Sequence, residues 1–397
     1  MKISQILVFA LLAASVPSHL QAQTEAAPTE NVADPTVETP EIPAVPSPDE
    51  LARLCGEGFY DAVMARVTPF IAAAQESEPP GKIDPRLFYW RGLAALRVGW
   101  FGMAREDMNA ALQAKVEAKE SPQSVIEKID RIEAVLPPQV FEVKSGENTV
   151  FRVYYTQNDP VTRAVIETLP AAYRISADLF GADVIEQPVF IFNTYAQMLA
   201  FMAARGSKRA ASWAWAYGGR DAFYFCLENP QGRPTATFQE SYIRSTVAHE
   251  YNHALFRRAM GNVVVPNWFL EGIAVLAGSR IALEAEAVND RTLARLMLTN
   301  ALIPPQNLEA HDAFLDHTEV GQTMKRAGLG KIAADPYAQG FNMTRFLMAN
   351  LRAGELPEFL NRVRETKSFE GGLQAQFGLT LPEFYERWYL TLRQKLG

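Results

Sequence analysis

His249 and His253 are two of only five histidines in a chain of 397 residues, and Glu250 directly follows the first of them in "TVAHEYNHAL" (246–255). On a helix, residues four apart lie about 40° apart around the axis and one turn apart along it. Two imidazoles so placed can grip one metal ion from a single wall. Glu250 then points beside them, where a metal-bound water would sit. A helix over 241–258 carries Ile243, Val247, Tyr251, Ala254 and Leu255 on its other side, the pattern of a core face. Catalytic zinc needs three protein ligands and an open fourth position, so one more ligand must come from elsewhere in the chain.

"VPNWFLEGIAVLAG" (265–278) offers that ligand. Pro266 suits a helix start, and Glu271 falls within the early turns. Seventeen residues separate His253 from Glu271, and the Gly261–Asn262 pair among them can reverse the chain. Gly272 and Ala274 are expected to let the second helix pack closely against the first. Attack of a metal-bound water on a carbonyl would also need a donor to the oxyanion of the tetrahedral intermediate. Asp335–Pro336 looks like a helix start and puts Tyr337 in the first turn, where it is either that donor or a buried aromatic anchor. His311 and His317, in the acidic "EAHDAFLDHTEV" (309–320), are alternatives that also read as solvated loop residues.

"HEYNHAL" followed by "PNWFLEGIAVL" resembles the gluzincin zinc metallopeptidases of the peptidase MA-like type, whose pattern is HExxH and then a Trp-x-x-Glu-Gly-x-Ala segment. The resemblance covers roughly residues 145–395. It implies a zincin-like fold, one zinc ion bound by His249, His253 and Glu271, and Glu250 as the general base for a zinc-bound water that attacks a peptide bond. The family often has a tyrosine where Tyr337 stands. It also implies that an edge strand near 220–228 pairs with the substrate backbone. Thermolysin-like enzymes carry an Asp four residues after the glutamate ligand; Val275 stands there in this chain, and the peptidase MA-like relatives also tend to lack that Asp.

The elements that must position these residues read as α+β. "NTVFRVYY" (148–155) and "QPVFIFN" (187–193) alternate like strands, with an amphipathic helix over 159–181 between them and another over 195–205. "ASWAWAYGG" and "DAFYFCLE" (211–228) close a small sheet. The expected lobes are a sheet lobe (139–240) and a helical lobe (241–397). Residues 51–138 read as an all-helical module. "PRLFYWRGLAALRVGWFGMAREDMNAAL" (85–112) breaks into two helices at Gly99, and Gly58, Phe59 and Ala62 echo Gly99, Phe101 and Ala104. This resembles tetratricopeptide-repeat hairpins; a helix near 122–136 caps them. The module holds no candidate ligand or nucleophile, so it is expected to recognise a substrate or a partner protein and to be separable from the chemistry.

Residues 1–22 have the form of a signal peptide, with Lys2, the apolar "ILVFALLAA" (6–14) and a cleavage point after Ala22. An exported protein follows, periplasmic or secreted, with no stable transmembrane segment once matured. Residues 23–50 form an acidic, proline-rich tether expected to be disordered. It carries seven acids of a chain whose net charge is −7, so the remainder is nearly neutral and gives no reason to expect a nucleic-acid partner. Cys55 and Cys226, on different predicted domains, are expected to stay unbridged more readily than paired. The favoured function is zinc-dependent hydrolysis of a peptide or protein. The alternatives are an inactive peptidase-like scaffold acting through its repeat-like helices, and a zinc hydrolase of cell-wall peptides.

Overall fold

Ser47, Asp84, Ser121 and Asp159 each precede a proline, and each caps a helix. The side-chain oxygen accepts an orphan backbone N–H while the proline supplies the fixed φ of the first helical residue. In this computed structural model the helices so begun are α1 (Pro48–Glu57), α3 (Pro85–Arg97), α5 (Pro122–Glu133) and α6 (Pro160–Phe180). The structure describes residues 46–76, 83–145, 148–181, 187–206, 216–219, 221–228, 234, 239–261, 263–309, 336–352 and 354–396. The predicted leader and most of the tether lie outside them, as do His311, His317 and Asp335. The tether is shorter than expected. Ser47 caps α1 and Asp49 and Glu50 occupy its first turn, so the last proline of the acidic stretch is a helix start.

The first helices form two hairpins, α1 with α2 (Tyr60–Glu76) and α3 with α4 (Phe101–Gln113). Gly58 and Gly99 end the leading helices at φ 83° and 81°, a left-handed conformation that side chains with a Cβ avoid. The matched glycines of the sequence therefore mark matched turns.

Five strands follow: β1 (Gln139–Ser145), β2 (Asn148–Tyr155), β3 (Gln187–Phe192), β4 (Ala216–Gly218) and β5 (Phe223–Cys226). They form one mixed sheet in the order β1-β2-β3-β5-β4, with antiparallel outer pairs and parallel inner pairs. This corrects the expected edge: the 223–226 strand is interior, and the three-residue β4 is the edge. β1 was not anticipated. It joins the sheet by pairing with β2, though Val140 and Phe141 stay exposed.

Period-two alternation gives the sheet two apolar faces. Phe151, Val153, Val189, Ile191, Phe223 and Phe225 turn toward α6 and the later helices. Tyr154, Phe190, Phe192, Tyr224 and Cys226 turn the other way, into a second core with Phe101, Met108, Val125, Ile129 and α7 (Tyr195–Ala204). The N-terminal helices are thus the cover of one sheet face, and Val45–Gly397 forms one compact unit. The Gly99 turn sits on the sheet: its carbonyl accepts the Tyr154 hydroxyl at 2.7 Å, and a Cβ there would lie 2.8 Å from Pro188. The predicted boundary near 138 separates elements in the chain but not in the packing.

Helices α8 (Glu240–Met260), α9 (Asn267–Ile281), α10 (Leu283–Leu298), α11 (Pro336–Ala349), α12 (Leu356–Thr366), α13 (Phe369–Phe377) and α14 (Leu381–Leu396) complete the chain. The fold is mixed α+β. Among the described residues, no helix is long and apolar enough to cross a membrane.

Candidate metal centre

Helix α8 buries Ile243, Val247, Tyr251, Ala254 and Leu255, the stripe expected from its periodicity. His249 is half-buried, while His253, one turn on, is buried. Helix α9 runs alongside and brings in Glu271, which is also buried. The close approach of α8 and α9 occurs at Gly278, where a Cβ would lie 2.8 Å from the Ser245 carbonyl oxygen. Gly272 faces elsewhere, which corrects the expectation that it packs on α8. A Cβ on Gly272 would lie 2.3 Å from the Gly340 carbonyl oxygen, and one on Gly340 would lie 2.8 Å from that of Trp268. Helices α9 and α11 thus meet backbone to backbone.

The three polar side chains converge on one point. The two Nε2 atoms are 3.0 Å apart, and Glu271 Oε2 lies 3.3 Å from His249 Nε2 and 3.2 Å from His253 Nε2. Tetrahedral zinc about 2.0–2.2 Å from each donor needs donors about 3.3–3.6 Å apart, so the triangle fits such an ion with slight expansion. The donor types agree as well. A proton can link only two of the three atoms at a time, whereas a metal cation engages all three. Among the described residues, this is the one group of His, Cys, Asp and Glu side chains spaced to hold a metal. Burial would raise the Glu271 pKa, but the two imidazoles outweigh it and hold the carboxyl below its ordinary range. Burial would lower the His249 pKa; the hydrogen bond to Glu271 and the charges of Glu250 and Glu271 outweigh it and raise it.

Glu250 engages the edge of the sheet. Its Oε2 accepts the Gly218 N–H at 2.6 Å, and the Gly218 carbonyl accepts a bond from Arg257. A Cβ on Gly218 would lie 2.1 Å from the Glu250 carbonyl oxygen, so only glycine lets β4 cross the helix here. Gly218 and Arg257 were not singled out from the sequence. The available signal was the Gly218–Gly219 pair at the end of a short strand, a common mark of close backbone approach.

Tyr337 stands in the first turn of α11, as expected, with its ring centroid 6.4 Å from that of His249. It also packs against the main core. Trp268 is wholly buried, stacked on Phe384, and its Nε1 donates to the Tyr385 hydroxyl at 3.1 Å; Tyr385 in turn donates to Glu309 at 2.8 Å. The tryptophan of the 265–278 segment therefore anchors the start of α9 to α14, one turn before Glu271. Cys55 and Cys226 are both free, and burial pushes their thiols up to about 12 and about 11. Comparison of the chain with known protein families, with curated proteins and with solved structures finds no match to any of them.

Proposed function

We propose that this protein is an exported zinc metallopeptidase of the gluzincin type, with a zincin-like fold around α8. The observation that carries the reading is the triangle of His249 Nε2, His253 Nε2 and Glu271 Oε2, with sides of 3.0–3.3 Å, with Glu250 next in the chain after His249 and near enough for its charge to help raise the His249 pKa. Zinc at that point supplies a Lewis acid and lowers the pKa of a water it binds to about 7. The remaining work falls to the chain. Glu250 takes a proton at a carboxylate oxygen and passes it to the leaving amine. The Gly218 N–H holds Oε2, which leaves Oε1 to receive that proton. Tyr337 donates its hydroxyl to the developing oxyanion.

The test separates binding from chemistry. His249→Ala, His253→Ala and Glu271→Ala are each expected to lose zinc, measured by elemental analysis of the purified chain. Glu250→Gln is expected to keep stoichiometric zinc and lose about 10²–10⁴-fold in peptide turnover. Full zinc in all three alanine variants, or wild-type turnover in Glu250→Gln, overturns the reading.

A further inference from the structure

Arg257 lies on α8 one turn beyond His253, about 6 Å along the axis. It is half-buried, and one guanidinium nitrogen donates to the Gly218 carbonyl while the plane lies 5.8 Å from the Tyr217 ring centroid. Among the described residues no carboxylate pairs with it. Its neighbour Arg258 is bound to Asp61, and Arg244, earlier on the same helix, to Glu240 and Glu167. A guanidinium has five N–H donors in a fork that matches a carboxylate, and the bond to the Gly218 carbonyl uses only one of them.

Its position gives that fork a use. Glu250 and Arg257 grip the same residue of the edge strand, one at the Gly218 N–H and the other at its carbonyl. Both groups of Gly218 therefore point away from β5 and toward the metal helix. A strand residue is about 3.4 Å long, so the guanidinium stands within two or three residue lengths of the base along an extended peptide.

We infer that Arg257 selects substrates bearing a carboxylate within about two or three residues of the scissile bond, either the peptide's free C-terminus or an acidic side chain. This rests on the peptidase reading above and adds the substrate class. The fork binds the carboxylate bidentately, and Tyr217 supports the guanidinium from its face.

The test uses the zinc-loaded full chain and matched short peptides: a free C-terminus against its amide, and Glu against Gln at each position near the cleaved bond. The expected acid-to-neutral ratio of kcat/KM is about 10–100, as for a charge-assisted pair. The amide arm and the side-chain arm tell the two carboxylate sources apart. Arg257→Gln is expected to bring the ratio to about 1, and Arg257→Lys to an intermediate value. A wild-type ratio near 1, or an unchanged ratio in Arg257→Gln, overturns the inference. Calorimetric binding of the same peptides to Glu250→Gln reads the preference without turnover. Selective binding with no turnover of any peptide by the wild type would support Arg257 while rejecting the peptidase reading; equal binding of acidic and neutral peptides would reject Arg257.

Discussion

Glu250 is held by backbone, and that makes Gly218 a test of how the proposed base is positioned. A Cβ at Gly218 would lie 2.1 Å from the Glu250 carbonyl oxygen, far inside van der Waals contact, so β4 must retreat from α8 in Gly218→Ala. The retreat lengthens the 2.6 Å bond from the Gly218 N–H to Glu250. None of the three metal donors lies on β4, so zinc content should stay at wild-type level. Peptide turnover should fall by about 10-fold or more, since sub-ångström placement of a base matters. Stability should drop by about 1–3 kcal/mol, as for other overpacked sites. Zinc analysis, turnover and thermal melting of the one variant distinguish these effects; lost zinc would mean that β4 supports the donors themselves. At this scale, the sequence made the His249–His253 pair legible because spacing on a helix follows from its period, and the proline start and early glutamate of the next helix pointed to Glu271. Gly218 and Arg257 were not legible, because their role depends on a strand that crosses α8 from outside the helix.

Periodicity reveals which face of a helix is apolar, but not which neighbour covers it. Gly272 illustrates the difference. The spacing of small residues in α9 was legible, and the assignment of their partner was not: Gly278 meets α8, whereas Gly272 meets α11. This matters for the site, because α9 carries Glu271 and α11 carries Tyr337. Gly272→Ala would place a Cβ 2.2 Å from Thr344 Oγ1 and 2.3 Å from the Gly340 carbonyl oxygen, forcing the two helices apart. A cost of about 1–3 kcal/mol is expected, together with a weaker grip on zinc, read by competition with a chelator. Gly102→Ala is the matched control. It is the second residue of α4, with nothing within 4 Å of the added Cβ, and should leave stability unchanged or raise it by less than the roughly 1 kcal/mol of a helix-interior site. Equal destabilisation by both would mean that the α9–α11 contact is not specially tight. β1 was the hardest strand to anticipate: it follows a Pro-Pro pair and exposes Val140 and Phe141, so it offers no clean alternating window, whereas the three-residue β4 lies within the stretch expected to be a strand.

At the level of the whole molecule, the N-terminal helices are structural partners of the sheet. The sequence suggested a separable module because its helices carry their own apolar faces and no catalytic residue type. What it could not show is that alternate residues of β2, β3 and β5 are also apolar on that side and need a cover. Tyr154, Phe190, Phe192 and Tyr224 are all buried beneath the module and α7. A second attachment joins Asp61 of α2 to Arg258 of α8. Burial raises the Asp61 pKa despite that arginine, and lowers the Arg258 pKa, so desolvation offsets much of what the pair gains. The apolar contacts therefore dominate the attachment. Uncovering four large side chains costs up to about 6–12 kcal/mol at about 1.5–3 kcal/mol each, comparable to the roughly 5–15 kcal/mol that holds a whole domain folded. A chain lacking residues 23–136 should accordingly be insoluble, or soluble without a cooperative thermal transition, and should fail to retain zinc. Sedimentation, calorimetric melting and zinc analysis of that truncated chain, beside a chain that retains residues 23–136, make the comparison. A soluble truncated chain that melts cooperatively and holds one zinc would mean that the helices only decorate the sheet.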